Sequence, residues 1–251
     1  IVEYVVKNNI GIIHAHLPWA GIVARLAGKW AGIPVVYTEH NKLERYHFAT
    51  RYLNISTMNL STEIVAVSTD VEDSVRAHKR DLKVPVRTIL NGVDVDYFVR
   101  TSRGADVKKM CDIPQEAPVV GTIAVFRFQK RLDLWLELAV QISRQHPDVH
   151  FLIVGDGPLK AELLKKCRLL GMEHTVHFTG LQRDVRPYLG AMDIYMMTSV
   201  FEGLPIALLE AMSMSLPVIS TSAGGIKEVI RHEQDGLLCA VENPGKLVSF
   251  A

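Results

Sequence analysis

No apolar run in the sequence reaches about eighteen residues, so no helix of the chain is built to cross a membrane. Cysteine is scarce. Cys111, Cys167 and Cys239 are odd in number and more than fifty residues apart, which forms neither a metal-type pair nor a disulfide framework; a reducing, cytoplasmic setting is expected. A basic excess is missing too: 28 Lys and Arg against 27 Asp and Glu leave a net charge of +1, which argues against nucleic acid as a partner. The local exception is the stretch 76–87, where Arg76, His78, Lys79, Arg80, Lys83 and Arg87 face Asp81 alone. A solvated face explains it, and a peripheral contact with an anionic membrane, at its inner face, is the alternative. No G-x-G-x-x-G opens either half, which argues against a dinucleotide oxidoreductase. Low-complexity tracts and fixed-period repeats are absent. The initiator methionine is absent as well, and Ala251 follows closely on Pro244, which opens what reads as another helix; a fragment lacking both ends of a longer protein is expected.

What is present is alternation. In 251 residues, 48% of them hydrophobic, there is room for one large or two modest cores. After an amphipathic helical end at residues 1–7, strands are expected at 10–13, 35–37, 64–67 and 86–90. Helices are expected at 20–31 and 42–60, with another capped by Ser68. Asn91-Gly92-Val93-Asp94 is a turn signal that leads into a polar segment ending near Gln115, and the domain change is placed there, giving domains at 1–95 and 96–251. The alternation restarts with strands at 119–124, 149–154, 176–179, 194–197, 218–220 and 237–239, and with helices at 132–144 and 159–170. Continuous apolar strands such as H-F-L-I-V are those of a parallel sheet covered on both faces, so the second half reads as a doubly wound α/β domain.

Ligands of such sheets bind beyond the carboxyl ends of the strands. The residues found there are cations, glycine turns and carboxylates. Arg127, Lys130 and Arg131 follow the first strand of the second half; Gly155-Asp156-Gly157-Pro158 follows the second; Gly180 and Asp184 follow the third. After the fourth comes T-S-V-F-E-G-L-P-I-A-L-L-E-A-M, in which Gly203 permits close backbone approach, Pro205 opens a helix and Glu210 lies about one and a half turns inside it. Ser222-Ala223-Gly224-Gly225 follows the fifth, a candidate phosphate cradle before a helix that contains Glu228. Each feature has an ordinary structural explanation: Pro158 suits a first helical position, and a glycine pair is weak by itself. Together they describe a site for a phosphate-bearing, hydroxyl-rich molecule, a nucleotide sugar.

With F-R-F-Q-K-R at 126–131, I-V-G-D-G-P at 153–158, V-H-F-T-G at 176–180, S-V-F-E-G-L-P-I-A-L-L-E-A-M at 199–212 and S-A-G-G-I-K-E at 222–228, the chain from about 119 to 238 resembles the retaining group 1 (family 4) glycosyltransferases. Residues 10–98 look like the latter part of their N-terminal domain. The resemblance implies a GT-B fold, two Rossmann-like domains facing a cleft, with the N-terminal one incomplete. It assigns Glu202 to the donor sugar, with backbone N–H groups from Gly203 and Leu204 beside it. Glu210 goes to the ribose hydroxyls and Lys130 to the diphosphate. Gly155, Gly157, Gly224 and Gly225 join the donor site. Where the family carries a second diphosphate-binding arginine this chain has Val125, and Arg127 is the nearest substitute.

In the first half, the resemblance makes His16 the histidine facing the reacting sugar and places His40, in T-E-H-N, on the acceptor side. Strand alternation puts His14 and His16 on one face, which is also how some metal hydrolases begin. Three readings follow. The first is a metal-independent retaining glycosyltransferase without a cofactor, moving a sugar from a nucleotide sugar to a saccharide or lipid-linked hydroxyl. The second is a non-catalytic nucleotide-sugar-binding module, and the third a metal-dependent hydrolase built on His14 and His16.

Overall fold

The computed structural model describes residues 1–100 and 104–251; residues 101–103, within the polar segment expected before the second domain, lie outside the described residues. The chain divides into two compact units, Ile1–Asn91 and Gly92–Ala251.

The first unit runs α1 (Val2–Lys7), β1 (Ile13–His16), α2 (Pro18–Ala31), β2 (Val35–Glu39), α3 (Phe48–Thr57), β3 (Glu63–Ala66), α4 (Thr69–His78) and β4 (Val86–Thr88). Its four strands form a parallel sheet in the order β1-β2-β3-β4, with a core that includes Ala15, Val35, Tyr37, Leu43, Met58, Ile64 and Val75. Ser68 caps α4 as expected, its hydroxyl accepting from the Val71 N–H at 3.3 Å.

Two expectations need correction here. The first strand is not at 10–13 but at Ile13–His16. Asn9, at φ 52°, turns the chain so that the Ile10 N–H bonds back to Val5 O, and pairing starts only where Ile13 meets Val35. The stretch 42–60 is not one helix. Short 3-10 turns at Leu43–Arg45 and Met58–Leu60 flank α3, and the break falls at Tyr46, held extended (φ −84°, ψ 149°) with its hydroxyl on Glu39. The basic stretch 76–87 is largely paired, Arg76 with Glu72, Lys79 with Asp81 and Arg87 with Glu63, the pattern of a solvated face.

The second unit runs α5 (Gly104–Met110), β5 (Val119–Ile123), α6 (Leu132–Gln145), β6 (His150–Val154), α7 (Lys160–Leu169), β7 (Val176–Gly180), α8 (Arg186–Ala191), β8 (Ile194–Met197), α9 (Ile206–Ser213), β9 (Val218–Thr221), α10 (Ile226–Val229) and β10 (Leu237–Cys239), closing on a 3-10 turn at Pro244–Ser249. All six strands are parallel, in the order β10-β9-β8-β5-β6-β7. Alternate residues supply two cores. Val119, Leu152, Val154, Tyr195 and Met197 pack on one face, and Val120, Phe151, Ile153, Met196 and Ile219 on the other, which makes the sheet doubly wound. Pro158 is not the first helical residue expected. It lies in a turn that docks on the preceding loop through the Leu159 N–H to Phe126 O bond, and α7 starts only at Lys160.

The strand order changes direction at β5, which pairs with β6 on one side and β8 on the other. The β5–β8 register is short, Val120 with Ile194 and Gly121 with Tyr195. Beyond it the Tyr195 hydroxyl bridges the two strands by donating to Ile123 O at 3.3 Å, and the Trp135 indole, from α6, donates to Met196 O at 3.0 Å. A crevice at this switch point is where open parallel sheets bind ligands.

Candidate active site

Lys130 follows β5 and Glu202 follows β8, so the topology alone brings both to the switch point. Their side chains meet as an ion pair at 2.6 Å, with only 17% and 10% of each exposed. The pair is held from below. Thr198 donates its hydroxyl to Lys130 O at 2.8 Å, and the Val200 N–H donates to Gln129 O at 2.8 Å, which ties the two loops together. Ser199 donates to Glu202 Oε1 at 2.7 Å, the same oxygen that takes Lys130, and no described residue donates to Oε2. Glu202 therefore offers one unsatisfied acceptor, the atom a sugar hydroxyl would use.

Beside this pair is a cavity of about 270 Å³, lined by residues that include Val125, Lys130, Gly155, Asp156, Gln182, Pro205 and Ile206. Pro205 sits at the N-cap of α9 and no side chain caps this helix; the Leu208 N–H bonds back to Pro205 O at 3.2 Å, which leaves the N–H groups of Ile206 and Ala207 at the helix start. A cation and a helix N-terminus on one cavity suit a phosphate. Glu210 lies in the second turn of α9, half-buried, and burial pushes its carboxyl above the ordinary range. Arg127 is exposed and lies outside the cavity lining, whereas Val125 is part of it.

The glycines serve chiefly to pack loop on loop. Gly224 has φ 57°, and a Cβ there would overlap the Glu202 carbonyl; one on Gly155, at φ 127°, would overlap the Ala124 carbonyl. Their neighbours' N–H groups are engaged inside the protein: Gly225 donates to Gly203 O at 2.8 Å, Gly155 to Gly180 O at 2.9 Å and Gly157 to Asp156 Oδ1 at 2.7 Å. The four-residue α10 follows this packing, and the Gly224-Gly225 pair acts here as a spacer that seats the Glu202 loop.

In the first unit the structure gathers three histidines at the ends of β1 and β2. His16 Nδ1 is 2.9 Å from His40 Nε2, His14 Nε2 is 2.7 Å from the Thr38 hydroxyl, and the His14 and His16 rings lie 4.3 Å apart. Burial, and then the neighbouring imidazole, hold the His14 and His40 pKa values below the usual histidine range. Among the described residues no group of three or more His, Cys, Asp or Glu is arranged to hold a metal ion.

Behind His40 lies a network the sequence reading missed. Glu39 is fully buried and accepts from Tyr37 OH at 2.7 Å, Tyr46 OH at 2.6 Å, Asn54 Nδ2 at 3.0 Å and the His40 N–H at 3.0 Å. Arg25, equally buried, bonds Asn54 Oδ1 at 2.9 Å, Ser61 at 3.0 Å and Thr57 at 2.8 Å and stacks over the Tyr37 ring at 4.1 Å. The available signal was a charge inside each apolar element, Arg25 in α2 and Glu39 ending β2. Ser199 and Thr198 carried no comparable signal.

The family model for glycosyl transferases group 1 matches residues 117–250, and that for glycosyltransferase family 4 matches residues 1–97. The chain belongs to the group 1 glycosyl transferases. This glycosyltransferase chain is 28% identical over 244 residues to UDP-Gal:alpha-D-GlcNAc-diphosphoundecaprenol alpha-1,3-galactosyltransferase of Escherichia coli, a match covering 92% of the chain and 63% of that protein. It is 30% identical over 246 residues to N-acetyl-alpha-D-glucosaminyl L-malate synthase of Bacillus anthracis, covering 95% and 64%. The chain thus spans just under two thirds of the length of these relatives. The crystal structure of Anabaena HepE in complex with UDP-glucose matches with a TM-score of 0.87 at 23% identity, over 99% of this chain and 71% of that one. At that identity the likeness establishes the fold, the GT-B class expected from the motifs.

Proposed function

We propose that the protein moves a sugar from a nucleoside-diphosphate sugar to a hydroxyl of a saccharide or lipid-linked acceptor, with retention at the anomeric carbon and without a metal. The observation that carries this reading is the Lys130–Glu202 pair at the switch point, beside a cavity and an uncapped helix start. A diphosphate needs the cation and the N–H groups; a polyol needs the free carboxylate oxygen and Glu210. The relatives' names support the donor class, since one acts with UDP-Gal and HepE binds UDP-glucose, and the first of these also names a lipid-linked diphosphate.

In the proposed step, the bond between the anomeric carbon and the leaving phosphate oxygen breaks while the acceptor oxygen bonds that carbon from the same face. The leaving phosphate takes the acceptor proton. Lys130 and the first turn of α9 stabilise the charge growing on the diphosphate. Glu202 Oε2 holds a donor-sugar hydroxyl and Glu210 the ribose; Gly203 and Leu204 line the same loop. His16 is assigned to the reacting sugar and His40 to the acceptor side. The acceptor class fits work at the inner face of a membrane, and no helix among the described residues is long and apolar enough to cross one.

A non-catalytic nucleotide-sugar module is the second reading, favoured by Val125 lining the cavity where the family has an arginine while Arg127 lies outside it. Calorimetric titration with UDP, GDP, ADP and their sugar conjugates, with and without chelator, followed by a transfer assay, separates the readings. Chelator-resistant binding and turnover support the transferase. Binding without turnover supports the module, and hydrolysis abolished by chelator supports a metal enzyme.

A further inference from the structure

The His16–His40 contact admits two arrangements. If His16 donates from Nδ1, then His40 must accept at Nε2 and carry its own proton on Nδ1, so both rings are Nδ1–H tautomers. If His40 donates from Nε2, then His16 accepts at Nδ1 and carries its proton on Nε2, so both rings are Nε2–H tautomers. A neutral imidazole intrinsically favours the Nε2–H form, and only the second arrangement lets both rings keep it. Which nitrogen carries the proton is otherwise set by the bond the other one makes.

We infer that His40 is a positioning residue that donates from Nε2–H to His16 Nδ1 and so locks His16 as a neutral donor, presenting Nε2–H to its ligand. His16 then gives a hydrogen bond to a sugar or phosphate oxygen and takes no proton from the acceptor. The inference rests on the proposed function for the identity of that ligand, and on geometry for the rest.

Three further observations support it. The backbone of His40 is anchored, because Glu39 Oε1 accepts its N–H and that of Asn41 at 3.0 and 3.3 Å, with the carboxylate itself held by Tyr37, Tyr46 and Asn54. The residue after His16 is strained: Leu17 has φ 71° and ψ 153°, a region that is nearly glycine-only. Pro18 and the Gly21 N–H to Leu17 O bond, at 2.9 Å, hold it there, so the end of β1 that carries His16 is over-determined. Finally, no carboxylate pairs with His14, His16 or His40 among the described residues. Burial and a neighbouring imidazole oppose the charged forms of His14 and His40.

The test is the protonation of His16 in the full chain with ring-15N histidine, read at about pH 8, where neutral imidazole predominates. Its signals among the ten histidines are assigned by their loss in His16→Gln. Expected is a protonated Nε2 and a bare, hydrogen-bonded Nδ1. In His40→Leu the two tautomers mix and turnover falls by roughly ten- to a hundredfold, the range seen when a partner orienting a functional imidazole is removed. His40→Gln, whose amide nitrogen reaches the position of the histidine Nε2, recovers most of the lost turnover and restores the single tautomer. A proton on His16 Nδ1 in the unaltered protein overturns the inference, and so does a His40→Leu protein with unchanged tautomer. The tautomer is read without substrate, so a protein that transfers no sugar yet keeps Nε2–H at His16 refutes the proposed function alone.

Discussion

Replacing Glu202 by glutamine should strengthen the binding of a bare nucleoside diphosphate while weakening sugar transfer. In the ligand-free protein, Lys130 is held by a shielded carboxylate at 2.6 Å, and an incoming diphosphate must take over that ammonium group. A glutamine keeps a hydrogen bond from the ammonium group but loses the attraction of a full negative charge, a difference on the order of 1–2 kcal/mol for a partly shielded pair. The glutamine therefore releases Lys130 at a saving of about 1–2 kcal/mol, which is about five- to thirtyfold in affinity. Repulsion between the carboxylate and the diphosphate is removed at the same time and acts in the same direction.

Transfer responds oppositely. Lys130 and Ser199 both bond Oε1, so the amide oxygen of the variant settles there and its NH2 takes the place of Oε2. An acceptor facing the sugar hydroxyl becomes a donor. Calorimetry with UDP, GDP and ADP reads the first effect, initial rates with the matching nucleotide sugar the second, and a melting curve checks that the fold is intact. Weaker diphosphate binding in Glu202→Gln, or undiminished turnover, would refute this account of the pair.

Other perturbations follow from the same geometry. Gly224→Ala forces a Cβ onto the Glu202 carbonyl at a positive φ, so stability should fall by about 1–3 kcal/mol and turnover with it; unfolding curves and steady-state rates check both. Glu39→Ala leaves Arg25 buried with its counter-charge removed, and urea denaturation should show a loss of about 3–5 kcal/mol. Burial raises the Glu210 pKa, and ligand hydroxyls donate to its ionised form. Donor affinity should therefore be full above that raised pKa and fall as the pH drops through it, and calorimetry across the acid range should find the dependence flattened in Glu210→Gln. Lys130→Ala should lower turnover by about a hundredfold or more, whereas Arg127→Ala, outside the cavity lining, should change it little; rates of the two variants side by side decide between them.

The doubly wound domain was legible because both of its signals are local. Apolar strands of five residues such as H-F-L-I-V and the helices between them are periodic in the sequence, and a parallel sheet follows from their alternation. The convergence of Lys130 and Glu202 was legible only as residues following strands. Their contact spans 72 positions and depends on β5 and β8 being neighbours, which no local pattern encodes. The shift of the first strand to Ile13–His16 comes from the Ile10 N–H bonding to Val5 O, which extends the terminal turn of α1, and the break near Tyr46 from its hydroxyl reaching Glu39, a side-chain bond that overrides helix preference. The Arg25–Glu39 network was hidden for a related reason. A buried charge becomes intelligible only once its partner is known, and here Asn54 and Tyr37 link the two from α3 and β2.

The loops around the switch point leave little freedom for a ligand to organise. The N–H groups of Gly155, Gly157 and Gly225 are bonded within the protein, and the carbonyls of Lys130 and Gln129 are tied to the loop after β8. What stays open here among the described residues is Oε2 of Glu202, the carboxyl of Glu210 and the N–H groups of Ile206 and Ala207 at the start of α9. Lys130, the cation lining the cavity, is already paired. On the proposed function, a frame this fixed should bind its donor by exchanging one ion pair rather than by closing a loop. The free energy of donor recognition then depends on how firmly Glu202 holds Lys130 before the diphosphate arrives, which is why the depth of that pairing, and not the number of N–H groups nearby, should set the affinity.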